Sequence, residues 1–428
     1  MRTIKCAAII AACISLLLFG LILLDWIIWI FIAPLLLILF ISYIIFQDKE
    51  PNIELSREIS KQKIFENDTA EITLKLKNKG KTIQLLEIFD KLPDRVEIEK
   101  GSNFSITSIK KNEELIIKYE LNFPIRGHFQ IGPLYLRTRD FFGLFTIEEI
   151  IDDDAKITVI PKIEDLKGFG SRSRANPFPG LMKTNYAGSG MEFQGIREYV
   201  PGDSYKKINW KAFARWNKVV VNEFEMESTT DVIIILDSRQ IENIGTLKHN
   251  SLEYSIKAAV SLASYYLKRQ NKVGIIIYGK SNGELRWIYP ESGIKQLYKI
   301  INETIETKAE GDFPLNPVIN TAAIHMLPKK SLIILLSSLQ ADFTIDQAVT
   351  KLISKNFNVL VLSPSQIDIE FQLNEYNPYY EIAYKTLKFE RKNIISRIRS
   401  KGAIVIDWNP AISLSLSLKE VEQYRVKR

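Results

Sequence analysis

Residues 188–227 read GSGMEFQGIREYVPGDSYKKINWKAFARWNKVVVNEFEME. The Pro-Gly pair at 201–202 predicts a turn, and Asp203 or Ser204 is suited to cap a short helix that follows it. Basic side chains are interspersed with aromatic and aliphatic ones along that helix, and the three valines at 219–221 predict a strand after it. This stretch, called the central block below, has a composition that is not typical of a linker.

Beyond the central block, from residue 231 onwards, short β-branched runs alternate with amphipathic segments. This alternation predicts a mostly parallel sheet covered by helices on both faces. The predicted strands are 232–236, 273–278, 332–336, 359–362 and 403–406, and the predicted helices lie near 251–269, 293–307, 345–355 and 381–399. Ligands of such sheets bind beyond the carboxyl ends of the strands.

Upstream of the central block, residues 53–160 show period-2 alternation in short runs. The predicted strands are 70–77, 82–89, 114–123, 129–137 and 156–160. Several strands at this spacing, with almost no helical periodicity, indicate an immunoglobulin-like β-sandwich. The sandwich lacks the cysteine pair of antibody domains, so core packing alone has to hold it together.

Two apolar runs open the chain, at 7–24 and 26–46, and each approaches the length that crosses a bilayer. With only Asp25 between them, they predict a transmembrane helical hairpin. Basic residues flank the hairpin on its outer sides, at Arg2, Lys5, Lys49, Arg57, Lys61 and Lys63. The positive-inside rule then places both ends in the cytoplasm and predicts a multi-pass protein of the cell membrane. The alternative is a cleaved signal peptide, which would place the soluble part outside.

The central block resembles the signature of the domain of unknown function 58 (DUF58) family. The matching residues are Glu192-Phe193, Arg197, Tyr199, Pro201-Gly202-Asp203, Ile208, Trp210-Lys211, Ala214-Arg215 and Phe224-Glu225. Residues 126–133 and 139–145 are similar to the end of the β-rich region in the same family. The resemblance implies a membrane protein with a von Willebrand factor A-like domain, often associated with an AAA+ ATPase of the MoxR type.

These patterns divide the chain into four parts. We predict two transmembrane helices in 1–48, a β-sandwich domain in 49–162, and a linker with the central block in 163–230. Residues 231–428 then form the von Willebrand factor A-like α/β domain.

The resemblance also implies a metal site, which this chain has largely lost. In the von Willebrand factor A fold, an Asp-x-Ser-x-Ser motif ends the first strand and supplies oxygen ligands to a divalent cation. Here the motif reads Asp237-Ser238-Arg239-Gln240-Ile241, and Arg239 brings a positive charge to the place of the cation. We therefore predict a degenerate site with Asp237 as its only remnant, no divalent cation, and Asp237 paired with Arg239 to organise the loop.

Composition argues against several functions. The 57 Lys and Arg residues are interleaved with 50 Asp and Glu residues rather than gathered into a stripe, which is not typical of a nucleic-acid binder. Both cysteines, Cys6 and Cys13, lie in the first apolar run, and no phosphate-binding loop or nucleophile elbow occurs. We predict no enzyme activity, no cofactor and no small-molecule substrate.

The remaining prediction is a membrane-anchored scaffold or adaptor that acts by protein–protein contact, with the bilayer bound through 7–46 and a MoxR-type ATPase as the partner. It would serve the assembly or maturation of a complex. The candidate partner-binding residues are Arg197, Tyr199, Asp203, Trp210, Lys211, Arg215 and Trp216. A structural reading stays open, with Trp210 buried against the sheet and Arg197 and Asp203 fixing the turn. The alternatives are an extracellular adhesion module and a membrane-associated hydrolase.

Overall fold

A computed structural model describes residues 3–23, 27–47, 51–140, 142–166, 184–188, 192–226, 231–325, 331–340, 344–373 and 378–419. The chain divides into two compact units, Met1–Ile160 and Pro161–Arg428. Within the linker predicted in 163–230, residues 167–183 lie outside the described residues.

The first unit opens with three apolar helices, α1 (Ile4–Leu23), α2 (Ile27–Ile30) and α3 (Ile32–Gln47). Among the described residues, α1 alone is long and apolar enough to cross a membrane, with a mean hydropathy of 2.8. The predicted second span at 26–46 is divided after residue 30, and α3 has 16 residues. Pro34 offers no amide hydrogen to the carbonyl of Ile30, which explains the break. One apolar helix suited to membrane anchoring is therefore established.

Both α1 and α3 contact the loop at residues 140–145. The Thr3 hydroxyl donates to the Gly143 carbonyl oxygen at 2.8 Å, and the Ser42 hydroxyl donates to Asp140 Oδ2 at 2.7 Å. Asp140 Oδ1 also accepts the amides of Leu144 and Phe145, which fixes the loop. The start of α1 and the end region of α3 are thus held at the same loop.

Eleven strands follow the helices in the described part of this unit. They are β1 (Ile53–Ile59), β2 (Lys63–Phe65), β3 (Thr69–Asn78), β4 (Ile83–Asp90), β5 (Glu97–Gly101), β6 (Phe104–Ile109), β7 (Glu114–Asn122), β8 (Gly127–Ile131), β9 (Leu134–Arg139), β10 (Thr146–Ile151) and β11 (Ala155–Ile160). Their sheets have the orders β1-β3-β7-β5, β10-β9-β4-β6 and β2-β11-β8. Alternating side chains of these strands form one buried cluster, so a sheet-rich region is confirmed.

One predicted strand of this region is wrong. The alternation at 129–137 suggested a single strand, but the chain breaks at Gly132-Pro133 into β8 and β9. Gly132 has φ = 112°, and a Cβ there would lie 2.9 Å from the Asp153 carbonyl oxygen. Only glycine fits this turn, and Pro133 cannot donate a hydrogen bond to a neighbouring strand.

The second unit contains the central block and an α/β region. Its strands are β12 (Thr184–Gly188), β13 (Glu192–Glu198), β14 (Val220–Met226), β15 (Asp231–Asp237), β16 (Lys272–Tyr278), β17 (Arg286–Glu291), β18 (Leu332–Leu336), β19 (Asn358–Pro364) and β20 (Ile404–Trp408). Its helices are α4 (Trp210–Trp216), α5 (Ser251–Leu267), α6 (Ile294–Ile305), α7 (Leu315–His325), α8 (Thr344–Ser354), α9 (Gln366–Leu373) and α10 (Pro378–Ser400).

The α/β region is built on a six-stranded sheet in the order β17-β16-β15-β18-β19-β20. All neighbours are parallel except β17, which runs antiparallel to β16. The five predicted strands and four predicted helices are confirmed, whereas β17, α7 and α9 were not predicted. The chain leaves β15 for β16 on one side and returns beside β15 on the other as β18. The carboxyl ends of β15 and β18 therefore meet at the point where the strand order reverses.

Candidate functional site

The central block forms its own small sheet, β12-β14-β13, with α4 inserted between β13 and β14. The Asn209 side chain accepts the amide of Ala212 at 2.9 Å and caps α4, which ends at Asn217 in the left-handed conformation. The predicted cap was wrong, because Ser204 precedes a separate 3-10 turn and makes no side-chain cap there. Asp203 does not cap α4 because its carboxylate binds Arg197.

Asp203 binds Arg197 and shapes the turn. The Arg197 guanidinium donates to both carboxylate oxygens of Asp203, at 2.6 and 2.7 Å, and the Val200 amide donates to Asp203 Oδ2 at 2.9 Å. The hydrogen bonds from Arg197, with that amide second, lower the pKa of Asp203 to about 2. Both residues therefore tie β13 to the turn, as the structural reading of these two positions expected.

The apolar side chains of the block fall into two sets. Ile208, Ala212, Val220 and Val221 are buried and hold α4 and the 3-10 turn against the sheet. The exposed fractions of Tyr205, Trp210 and Trp216 are 74%, 63% and 59%. The reading in which Trp210 is buried against the sheet is therefore wrong.

Exposed basic residues are interspersed with these aromatic residues along the chain. Lys211 and Arg215 lie on α4, Lys206 lies on the preceding 3-10 turn, and Lys218 follows the helix. Tyr199 is half-buried, and its ring stacks on that of Tyr205 at a centroid distance of 6.2 Å. Four of the seven candidate residues are thus exposed on α4: Trp210, Lys211, Arg215 and Trp216.

A second polar cluster occupies the carboxyl ends of β15 and β18. Asp237 is fully buried and accepts hydrogen bonds from Arg239, with Nε at 2.9 Å from Oδ1 and Nη2 at 2.6 Å from Oδ2. The Ser337 hydroxyl donates to Asp237 Oδ2 at 2.9 Å. The Arg239 guanidinium also lies 5.6 Å from the ring centroid of Tyr278, a favourable cation–π distance.

This cluster does not fit a divalent cation. A cation would have to displace the Arg239 guanidinium, which already supplies the positive charge that Asp237 needs. Asp312, on the later loop, contacts the Ser281 hydroxyl at 3.5 Å instead. The expected pairing of Asp237 with Arg239 is confirmed, and the absence of a bound cation in the working protein stays a prediction.

Glu242 completes this cluster and was missed by sequence reasoning. It is fully buried, and its Oε1 accepts the amide and the hydroxyl of Ser338 at 2.9 and 2.8 Å. Its Oε2 has no hydrogen-bond partner among the described residues. Burial, followed by the nearby charge of Asp237, raises the pKa of Glu242 to about 8. Glu242 lies in a 3-10 turn whose sequence is typical of a solvated loop. No feature of the sequence therefore indicated that this residue is buried.

Arg391 extends the polar cluster towards β19 and β20. Its guanidinium is buried and donates to the Ser338 carbonyl oxygen at 2.7 Å, to Asp407 Oδ1 at 2.8 Å and to the Ser363 hydroxyl at 2.9 Å. Charges at this edge of the sheet are therefore bound by internal partners. The cluster is suited to holding loops in place, and its chemistry offers few groups to a ligand.

Comparison with known proteins identifies the family. Residues 195–365, which run from β13 to just beyond β19, match the family described as "Protein of unknown function DUF58". The resemblance of the chain to this family is thereby confirmed over residues 195–365. The chain is also similar to the "Uncharacterized protein YeaD" of Bacillus subtilis (strain 168), with 21% identity over 237 residues, which is 54% of this chain and 56% of that protein. It thus spans about half the length of this curated relative.

Two solved structures each resemble about a quarter of the chain. A FixG-related protein from Vibrio parahaemolyticus shares 18% identity and covers 25% of this chain and 95% of that one, with a TM-score of 0.19. The CARDB domain of the PF1109 protein from Pyrococcus furiosus shares 15% identity over 26% of this chain and 96% of that one, with a TM-score of 0.20. Scores this low carry no argument about fold or function.

Proposed function

We propose that this protein is a membrane-anchored adaptor whose central block binds a partner protein. A MoxR-type AAA+ ATPase is the partner that the family resemblance suggests, and the process would be the assembly or maturation of a complex. The exposure of Trp210 and Trp216 at the ends of α4 carries the proposal. Tryptophan and arginine are the residue types that contribute most to binding at protein interfaces.

Folding and binding can be separated within the block, which supports the proposal. Arg197 and Asp203 hold the turn, Asn209 caps α4, and Ile208 and Val221 pack beneath it. The two indoles lie outside this framework. Burying them can therefore contribute free energy to the binding of a partner. Two large apolar side chains left in water on so short a helix are typical of an interaction site.

The charge around the indoles indicates the chemistry of the partner. Lys206, Lys211 and Arg215 are exposed near them in the chain, and Lys218 pairs with the exposed Glu198 at 3.3 Å. A positive surface of this kind binds a negative one more rapidly and more selectively than a neutral one. The partner should therefore present acidic side chains around an apolar pocket that accepts an indole.

We also infer that the α/β region is a von Willebrand factor A-like domain in which Arg239 takes the place of the metal ion. The strand order corresponds to 3-2-1-4-5-6 in chain order, as in doubly wound sheets. Asp237 ends the first strand at the point where the order reverses, where such a domain would bind its ion. Because the Arg239 guanidinium occupies this place, a partner that binds at this edge of the sheet should not need a divalent cation.

The anchor is proposed to be a hairpin of α1 and α3, with the rest of the chain in the cytoplasm. The contacts of Thr3 and Ser42 with the 140–145 loop support a hairpin, because they bring the outer ends of the two helices to one place. The sheets of the first unit share one core, which supports an immunoglobulin-like sandwich next to the membrane.

The experiment is co-purification of the tagged full-length protein from native membranes. We compare the unaltered protein with a Trp210→Ala/Trp216→Ala variant and with Arg215→Glu. Trp210→Ala removes the edge contact of Trp210 with the Phe213 ring. Both variants should still fold, because the Arg197–Asp203 pair and the Asn209 cap remain. The proposal expects a specific protein to co-purify with the unaltered chain and to be reduced at least tenfold with either variant, since a tryptophan or an arginine at the centre of an interface contributes about 2 kcal/mol.

Trp287→Ala is the matched control, since Trp287 is also exposed but lies on β17, outside the central block. This variant should retain the partner. If all the variants retrieve the same proteins as the unaltered chain, the block is a fold element and the adaptor proposal fails. If the retained partner is not an AAA+ ATPase, the adaptor stands and the family-based partner is dropped.

A further inference from the structure

The outer face of α10 carries large apolar side chains in water. Ile382 and Phe389 are 65% and 67% exposed, and their spacing of seven residues places them on one face of the helix, two turns apart. Arg391 and Ile395, by contrast, are buried. A face with two exposed apolar residues is unusual for a helix that packs on a sheet by its other side.

The orientation of α10 is fixed by its inner face. Tyr384 donates its hydroxyl hydrogen to Asp368 Oδ1 at 2.8 Å, and Lys388 donates to Asp368 Oδ2 at 2.5 Å. Arg391 is bound to the carboxyl edge of the sheet. With three side chains of one face anchored, the helix cannot turn Ile382 and Phe389 inward without breaking buried hydrogen bonds.

Basic side chains accompany the exposed apolar ones. The helix contains six lysines and arginines and two glutamates. Lys385 and Lys392 each follow an exposed apolar residue by three positions, so both lie beside the Ile382–Phe389 stripe. Lys385 contacts Glu381 at 2.6 Å, but both side chains reach solvent, and such a pair yields readily to another anion.

We propose that this outer face of α10, around Ile382 and Phe389, binds the surface of an anionic lipid bilayer. Interfacial helices combine apolar side chains on the buried face with lysines at its margin, whose long chains reach the headgroups. Nucleic acid would match the charge but leave the aliphatic and aromatic side chains in water. The apolar helix α1 keeps the chain at a membrane, so the surface meets its ligand at high local concentration. The inference rests on membrane anchoring and is independent of the adaptor proposal.

The test uses full-length protein in nanodiscs of phosphatidylcholine alone or of phosphatidylcholine with phosphatidylglycerol. Amide hydrogen exchange is measured for peptides covering residues 378–400. Exchange should slow at least tenfold in the anionic nanodiscs, because each of the two lysines beside the stripe favours binding to an anionic surface by roughly fivefold. The effect should disappear at high salt, which screens the headgroup charge.

Two variants separate the contributions of the stripe. Ile382→Glu/Phe389→Glu should abolish the protection, and Lys385→Gln/Lys392→Gln should remove the preference for anionic lipid while leaving the apolar residues in place. The matched control, Trp287→Glu/Tyr289→Glu, makes the same change on the exposed side of β17 and should retain the protection.

Equal exchange in both kinds of nanodisc would overturn the proposal. Protection that instead rises with the number of protein copies per disc, whatever the lipid, would also overturn it and would indicate contact between protein molecules. Failure of this test leaves the adaptor proposal untouched, because no partner protein is present in the nanodiscs.

Discussion

Glu242 should make the stability of the DUF58 domain depend on pH in an unusual direction. Its pKa is raised from 4.5 to about 8, mainly by burial. The protonated form is therefore the one that the fold favours. Its stabilising effect is complete below about pH 4.5 and is lost as the pH rises through about 8. The free energy of unfolding should fall across this window.

The magnitude follows from the same two values. A change of pKa from 4.5 to about 8 in a fully buried group corresponds to an upper limit of about 5 kcal/mol. Glu242→Gln carries no charge in either state and should remove most of this dependence. The variant should be close to the unaltered protein at about pH 5 and more stable than it by a few kcal/mol at about pH 9.

The assay is amide hydrogen exchange of β15, residues 231–237, at a series of pH values after correction for intrinsic exchange. This strand adjoins Glu242 and reports the opening of the central sheet. Glu291→Gln is the matched control, because Glu291 is exposed on β17 and pairs with Lys299 in solvent. If the unaltered protein and Glu242→Gln show the same pH dependence, Glu242 titrates normally and the reasoning about its burial is refuted.

Three further changes test other parts of the structure. Arg239→Ala removes the guanidinium that pairs with the buried carboxylate of Asp237. Equilibrium denaturation should show a free energy of unfolding that is lower by about 3–5 kcal/mol. A loss below about 1 kcal/mol would show that the fold does not need this pair. Asn209→Ala removes the cap of α4 and should cost about 1 kcal/mol in hydrogen exchange of 210–216, while Ser204→Ala should change nothing there. The pKa of Asp203 is lowered, so the turn at 199–203 should keep its contacts as the pH falls to about 3 and should loosen near pH 2. Nuclear magnetic resonance spectra recorded over this pH range measure the loosening. If the turn loosens at about pH 4, the bidentate pair with Arg197 does not hold it.

The parallel strands could be predicted because burial on both faces leaves an uninterrupted apolar run. In β15 the five residues 232–236 are all aliphatic and all fully buried. Strand β17 was missed because it lies at the edge, carries charged residues at both ends and contains Pro290. Its side chains alternate between half-buried and exposed, which gives a weaker pattern than a central strand.

The candidate site was predictable only where neighbours in sequence are neighbours in space. The pairs Arg197–Asp203 and Asp237–Arg239 are six and two residues apart, and both could be anticipated. Glu242 and Ser338 are 96 residues apart, and Arg391 and Ser338 are 53 apart. Such contacts depend on which strand ends the fold brings together, and local spacing contains no information about them.

Site-specific cross-linking tests the central claim most directly. A photoreactive phenylalanine analogue replaces Trp216 in one version of the full-length protein and Trp287 in another, and both are irradiated in native membranes. The adaptor account predicts a discrete adduct with one acidic partner protein from position 216 and none of that mass from position 287. If position 216 yields no protein adduct, or the same adducts as position 287, the exposed indoles of the central block are not an interface and the account is wrong.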